Sequence, residues 1–115
     1  MNYTIFYNSK CQKSRSGLQY LRSKHIEPEV IEYLKDKPFT SESLKEILKK
    51  LGIKPIDIVR TQETYFKQNY KGKSLTNDQW IKILVENPKL IRRPIIVKGE
   101  NAILGDIIKH IDTLL

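Results

Sequence analysis

The chain has 115 residues, 39% apolar and 30% charged, the balance of one soluble globular domain over 1–115 that can bury a core without covalent staples. Its single cysteine excludes an internal disulfide framework and a cysteine-rich zinc site, and no apolar run approaches the roughly 20 residues that span a bilayer. The net charge of +8 points to an anionic partner, but 16 of the 21 basic residues are lysines spread along the whole chain, and a solvated basic face explains them equally well.

The opening MNYTIFYNSK lacks the charged-then-apolar pattern of a signal peptide. A cytoplasmic protein is therefore expected, in a compartment that keeps a lone thiol reduced. YTIFY at 3–7 is β-branched and aromatic and predicts a strand. From about Gln12 to Lys24, Leu18 and Leu21 fall at helical spacing. EVIEYL at 29–34 alternates and predicts a second strand, which completes a βαβ unit. PFTSESLKEILKKLGI predicts a helix with Thr40 or Ser41 as cap. Leu44, Ile47, Leu48 and Leu51 form its apolar stripe, and Gly52 ends it.

KPIDIVRTQETYFKQN predicts short helical turns after Pro55. LTNDQWIKILVENP predicts a helix capped by Thr76 or Asn77, with Trp80, Ile81, Leu84 and Val85 inward, stopped before Pro88. RRPIIVKGENAILG predicts a hairpin turning at 98–101. Asp106 is the expected cap of a last helix, with Ile107, Ile108, Ile111 and Leu114 inward. The order is β-α-β, three helical segments, β-β, α. It predicts an α/β fold: a thioredoxin-like mixed four-stranded sheet with flanking helices and a helical insertion.

Chemistry concentrates at Cys11. Only a thiolate attacks, and an ordinary thiol is mostly protonated at neutral pH. The pattern puts Cys11 at a helix N-terminus, where unbonded N–H groups and a partial positive charge favour an anion. Lys10, Lys13 and Arg15 add positive potential. The residues from Asn8 to Ser16 are otherwise polar or basic, which argues against an inert buried cysteine. Arg93 directly precedes Pro94, where thioredoxin-type folds place a proline, usually cis, opposite the reactive cysteine. Its guanidinium is then expected to face Cys11. Arg60 is a second candidate, and Arg92 is expected to point away. A thiolate, a helix N-terminus and two arginines suit a tetrahedral dianion such as arsenate or phosphate.

Three stretches, YNSKCQKSR, VRTQE and RRPIIV, occur in order at matching spacing. With them the whole chain resembles the arsenate reductase family that is coupled to glutathione and glutaredoxin. The resemblance implies that Cys11 attacks arsenate and that Asn8, Ser14, Arg15 and Pro94 help form the substrate loop. It implies that Arg60 and Arg93 hold and polarise the oxyanion. Glutathione is the implied co-substrate, with no bound cofactor and no metal. The family's third arginine, after the hairpin, is here Gly105, and its usual histidine ahead of the asparagine is Tyr7. One lost charge-assisted contact costs roughly 1.5–3 kcal/mol.

Spx-type transcriptional regulators share the fold and bind RNA polymerase, so a binding protein is the alternative. Many of them carry Cys-x-x-Cys, and here the second position is Ser14. The phosphatase-like arsenate reductases need an arginine six positions after the cysteine, where Gly17 stands. His25 and His110 are isolated, and neither is expected to bind metal. Tyr65, Phe66 and Tyr70 among lysines could mimic a nucleic-acid surface. One or two of these aromatics are expected to pack the insertion against the core instead, with the lysines solvated. Neither membrane nor direct nucleic-acid contact is expected.

Overall fold

A computed structural model describes residues 2–115. The chain forms two compact units. One runs up to Pro38 and resumes at Arg93–Leu115, and the other is Phe39–Arg92.

The first unit holds β1 (Tyr3–Tyr7), α1 (Gln12–Ser23), β2 (Glu29–Glu32) and α2 (Tyr33–Asp36). After the second unit it adds β3 (Ile95–Lys98), β4 (Asn101–Leu104) and α6 (Ile108–Ile111), which runs into a 3-10 turn at Asp112–Leu114. The sheet order is β2-β1-β3-β4. β2 is parallel to β1, while β3 and β4 are antiparallel neighbours. The mixed four-stranded sheet is the expected one. Ile5 of β1 lies opposite Ile96 of β3. Both join Leu18 and Leu21 of α1, Ile111 of α6 and Leu114 in one core cluster. Burial of each such side chain contributes roughly 1.5–3 kcal/mol.

The second unit is the helical insertion: α3 (Ser41–Leu51), α4 (Thr64–Asn69) and α5 (Asn77–Glu86), with 3-10 turns at Pro55–Ile58 and Pro88–Leu90. Thr40 and Thr76 cap α3 and α5 through reciprocal bonds with Ser43 and Gln79. Gly52 ends α3 with a positive φ of 71°. Phe66 stacks on Trp80 with ring centroids 6.1 Å apart, and Tyr70 meets Trp80 edge-on. Lys89 and Lys73 lie over Tyr65 and Tyr70. These aromatic contacts all lie within the insertion.

Two expected elements differ. The second strand stops at Glu32, and Tyr33 turns inward at the start of α2. Lys37 closes that turn with φ 47°. The last helix starts late. Ile107 is extended and 47% exposed, so it is neither inward nor helical, and Asp106 does not cap the helix. Consecutive β-branched isoleucines are weak helix formers, and α6 begins only where Ile111 and Leu114 reach the core. Among the described residues no helix is long and apolar enough to cross a membrane.

Candidate active site around Cys11

The loop from Tyr7 to α1 is held by its own side chains. The carbonyl of Asn8 accepts the Cys11 N–H at 2.9 Å, and its Oδ1 accepts the Lys10 N–H at 3.1 Å. Ser14, fully buried, accepts the Asn8 N–H on Oγ at 3.2 Å. Arg15 Nη1 donates to the Ser9 carbonyl at 2.8 Å. In this geometry Asn8, Ser14 and Arg15 shape the loop that presents Cys11.

Cys11 is the N-cap of α1, with an extended backbone (φ −100°, ψ 122°). A cap side chain faces the amides two and three residues on, here Lys13 and Ser14. The neutral thiol closes no cap hydrogen bond there, and N–H donors facing a sulfur favour its anion. Burial pushes the thiol up. The Ser14 N–H, the Arg93 side chain, the Lys13 N–H and the Ser14 hydroxyl together outweigh it, and Cys11 is held below the ordinary thiol value. No acidic residue sits in the first turn of α1 to oppose them.

Arg93 reaches the sulfur from the far end of the chain. It joins Pro94 through a cis peptide, and its Nη1 donates to Tyr33 Oη at 3.3 Å. Tyr33 is almost completely buried. The structure thus brings Cys11, Ser14, Arg93 and Pro94 together in one unit. Tyr33 is the site residue that sequence reasoning missed. Its position inside an alternating pattern marked it only as strand.

Pro94 packs between two glycines. A Cβ on Gly17 would lie 3.0 Å from Pro94 Cγ. A Cβ on Gly105 would lie 2.9 Å from Ile96 Cδ1 and 3.1 Å from Pro94 Cγ, and its N–H donates to the Pro94 carbonyl at 2.8 Å. Position 105, where an arginine is expected by resemblance, is closed by packing in this chain. Gly105→Ala should therefore destabilise the fold by about 1–3 kcal/mol. A urea titration reads this, and an unchanged midpoint would refute the packing argument.

Arg60 belongs to the second unit, where its Nη1 pairs with Glu63 at 2.7 Å and its N–H donates to the Leu90 carbonyl. Arg92 turns back on its own unit, with Nη1 on the Asp57 carbonyl at 3.0 Å. His25 and His110 are exposed. Among the described residues no three His, Cys, Asp or Glu side chains gather as metal ligands would.

A sheet of this order, with a cysteine capping α1 and a cis proline packed against Gly17 of the same helix, defines a thioredoxin-like fold. Residues 6–112 match the ArsC family, and the chain belongs to that family. It is 33% identical to an arsenate reductase of Neisseria meningitidis, over 96% of each chain. It is 39% identical to an uncharacterized protein in the glnII region of Streptomyces viridochromogenes, over 88% of each. Among solved structures, an arsenate reductase from Vibrio cholerae superposes with a TM-score of 0.93 at 35% identity, covering 100% of this chain and 98% of that one. These homologues support an oxidoreductase.

Proposed function

We propose that this chain is a thiol-dependent reductase in which the Cys11 thiolate attacks arsenate or a related oxyanion. A low-molecular-weight thiol such as glutathione, with glutaredoxin, then restores the enzyme. The observation that carries the reading is the convergence of Arg93 and the first amides of α1 on the Cys11 sulfur.

Attack by Cys11 on arsenic(V) forms an S–As bond and expels one oxygen as water. Two electrons must then reach arsenic to give arsenite. They come from sulfur, so two thiols end as one disulfide. Cys11 is the only cysteine, so the second sulfur is external. Arg93 acts twice in this scheme: it stabilises the thiolate, and it offers a fork-shaped donor to the oxyanion. The role that the resemblance gives Arg60, polarising the oxyanion, belongs to the same proposal and is tested by Arg60→Ala. A reducing cytoplasm suits such a thiol.

The test is steady-state arsenate reduction with glutathione and glutaredoxin, comparing wild type with Cys11→Ser. Turnover present only in wild type supports the reading. A wild type no faster than Cys11→Ser overturns arsenate as substrate.

A further inference from the structure

We propose that a groove beside the Cys11 loop receives the amino-acid end of the thiol co-substrate. The inference rests on the thiol-reductase reading and extends it by placing the second thiol.

The groove encloses about 150 Å³ between the Cys11 loop and the corner where β2 becomes α2, within a single unit. Tyr7 and Leu34 give it apolar walls, and Lys10, Lys35, Glu32 and Ser9 supply polar groups. Two chain neighbours of its lining residues relate it to the reacting sulfur. Lys10 directly precedes Cys11 in the chain. Tyr33, between the lining residues Glu32 and Leu34, accepts a hydrogen bond from Arg93, whose side chain acts on the Cys11 sulfur.

The charges select a chemistry. Lys35 Nζ pairs with Glu32 Oε2 at 2.9 Å, and Lys35 is largely exposed. Lys35 first, and then Ser9, hold the Glu32 carboxyl below the usual carboxylate range, so it is ionised at neutral pH. The lining therefore offers a ligand both signs of charge, the ammonium groups of Lys10 and Lys35 and the carboxylate of Glu32. A zwitterion satisfies both. Its carboxylate takes Lys35 or Lys10, and its ammonium takes Glu32, so the existing ion pair opens into two. A groove of 150 Å³ holds one amino-acid end and not a whole tripeptide. The rest of the molecule, with its sulfur, then extends across the loop toward Cys11. Glutathione and other thiols ending in a free α-amino acid belong to this class. An external thiol is obligatory because the chain has no second cysteine.

Disulfide exchange tests the groove without any oxyanion. The Cys11 thiolate attacks one sulfur of a disulfide probe. A new S–S bond forms to Cys11, the old one breaks, and the other half leaves as a thiolate with the electron pair. The probes are glutathione disulfide, which carries amino-acid ends, and neutral hydroxyethyl disulfide. The quantity read is the ratio of the two rates. In Lys35→Glu the ratio should fall about three- to tenfold, and added salt should narrow the gap. Lys35 is exposed and pairs with Glu32 at the surface, so the variant retains its core. The same reversal at Lys49, exposed on α3, controls for net charge and should leave the ratio in place. A ratio unaffected in Lys35→Glu, or lowered equally in Lys49→Glu, overturns the groove while leaving Cys11 as a nucleophile. Exchange with neither probe overturns the thiol reading itself.

Discussion

Cys11→Ser should lower thiol-dependent turnover by on the order of 10³-fold or more. A serine hydroxyl at this N-cap is a good helix cap, so the fold should persist and the loss should be chemical. The helix amides and Arg93 lower the energy of a thiolate whose parent thiol ionises at about 8.5 even when unperturbed. A hydroxyl ionises far above that range, and the same donors cannot bring it down far enough. Circular dichroism of the variant should match wild type while product formation falls to background. Residual turnover within about tenfold of wild type would place the nucleophile elsewhere.

Arg93→Ala should cost roughly tenfold to hundredfold in kcat/KM, the value of one charge-assisted hydrogen bond of about 1.5–3 kcal/mol. Part of that loss depends on pH, and its sign is fixed. Arg93 is among the groups that lower the Cys11 pKa, so removing it moves the pKa up and shifts the rate profile to higher pH. The defect should be largest below the wild-type pKa and shrink as both thiols ionise. The part due to lost oxyanion contact should persist at high pH. Arg93→Lys should recover only some activity, because an ammonium is a point charge and cannot bridge Tyr33 and the sulfur as a planar fork does. An Arg93→Ala profile that superposes on wild type would remove Arg93 from the site.

The same linkage reaches stability. A thiol whose folded pKa is depressed stabilises the native state once both folded and unfolded forms ionise. That contribution is fully present above the unfolded value near 8.5 and is lost as pH falls through the folded one. Wild type should therefore gain stability relative to Cys11→Ser as pH rises through that window.

Much of this fold is legible in the sequence, because its long helices and central strands carry unbroken periodicity. Thr40 and Thr76 announce their helices, Gly52 announces an end, and the Arg93-Pro94 pair announces the turn opposite the thiol. The segment EVIEYL is less legible. It has apolar residues on both faces of an alternating pattern, so periodicity alone cannot separate two more strand residues from the helical turn at Tyr33–Asp36. The start of the last helix is hidden for a similar reason, since Ile107 fits the apolar spacing but has no core to enter. The Tyr33–Arg93 hydrogen bond joins residues 60 positions apart, and no local pattern encodes it. Gly105 was readable only as an absent arginine. The structure gives it a positive reason, the close approach of Pro94 and Ile96.

The chemistry of the site depends on Cys11 being a thiolate activated by its surroundings. The most direct measurement is the rate of iodoacetamide alkylation of the native protein as a function of pH. The rate should titrate with a midpoint below the roughly 8.5 of an unperturbed thiol. A midpoint at or above that value would contradict the account.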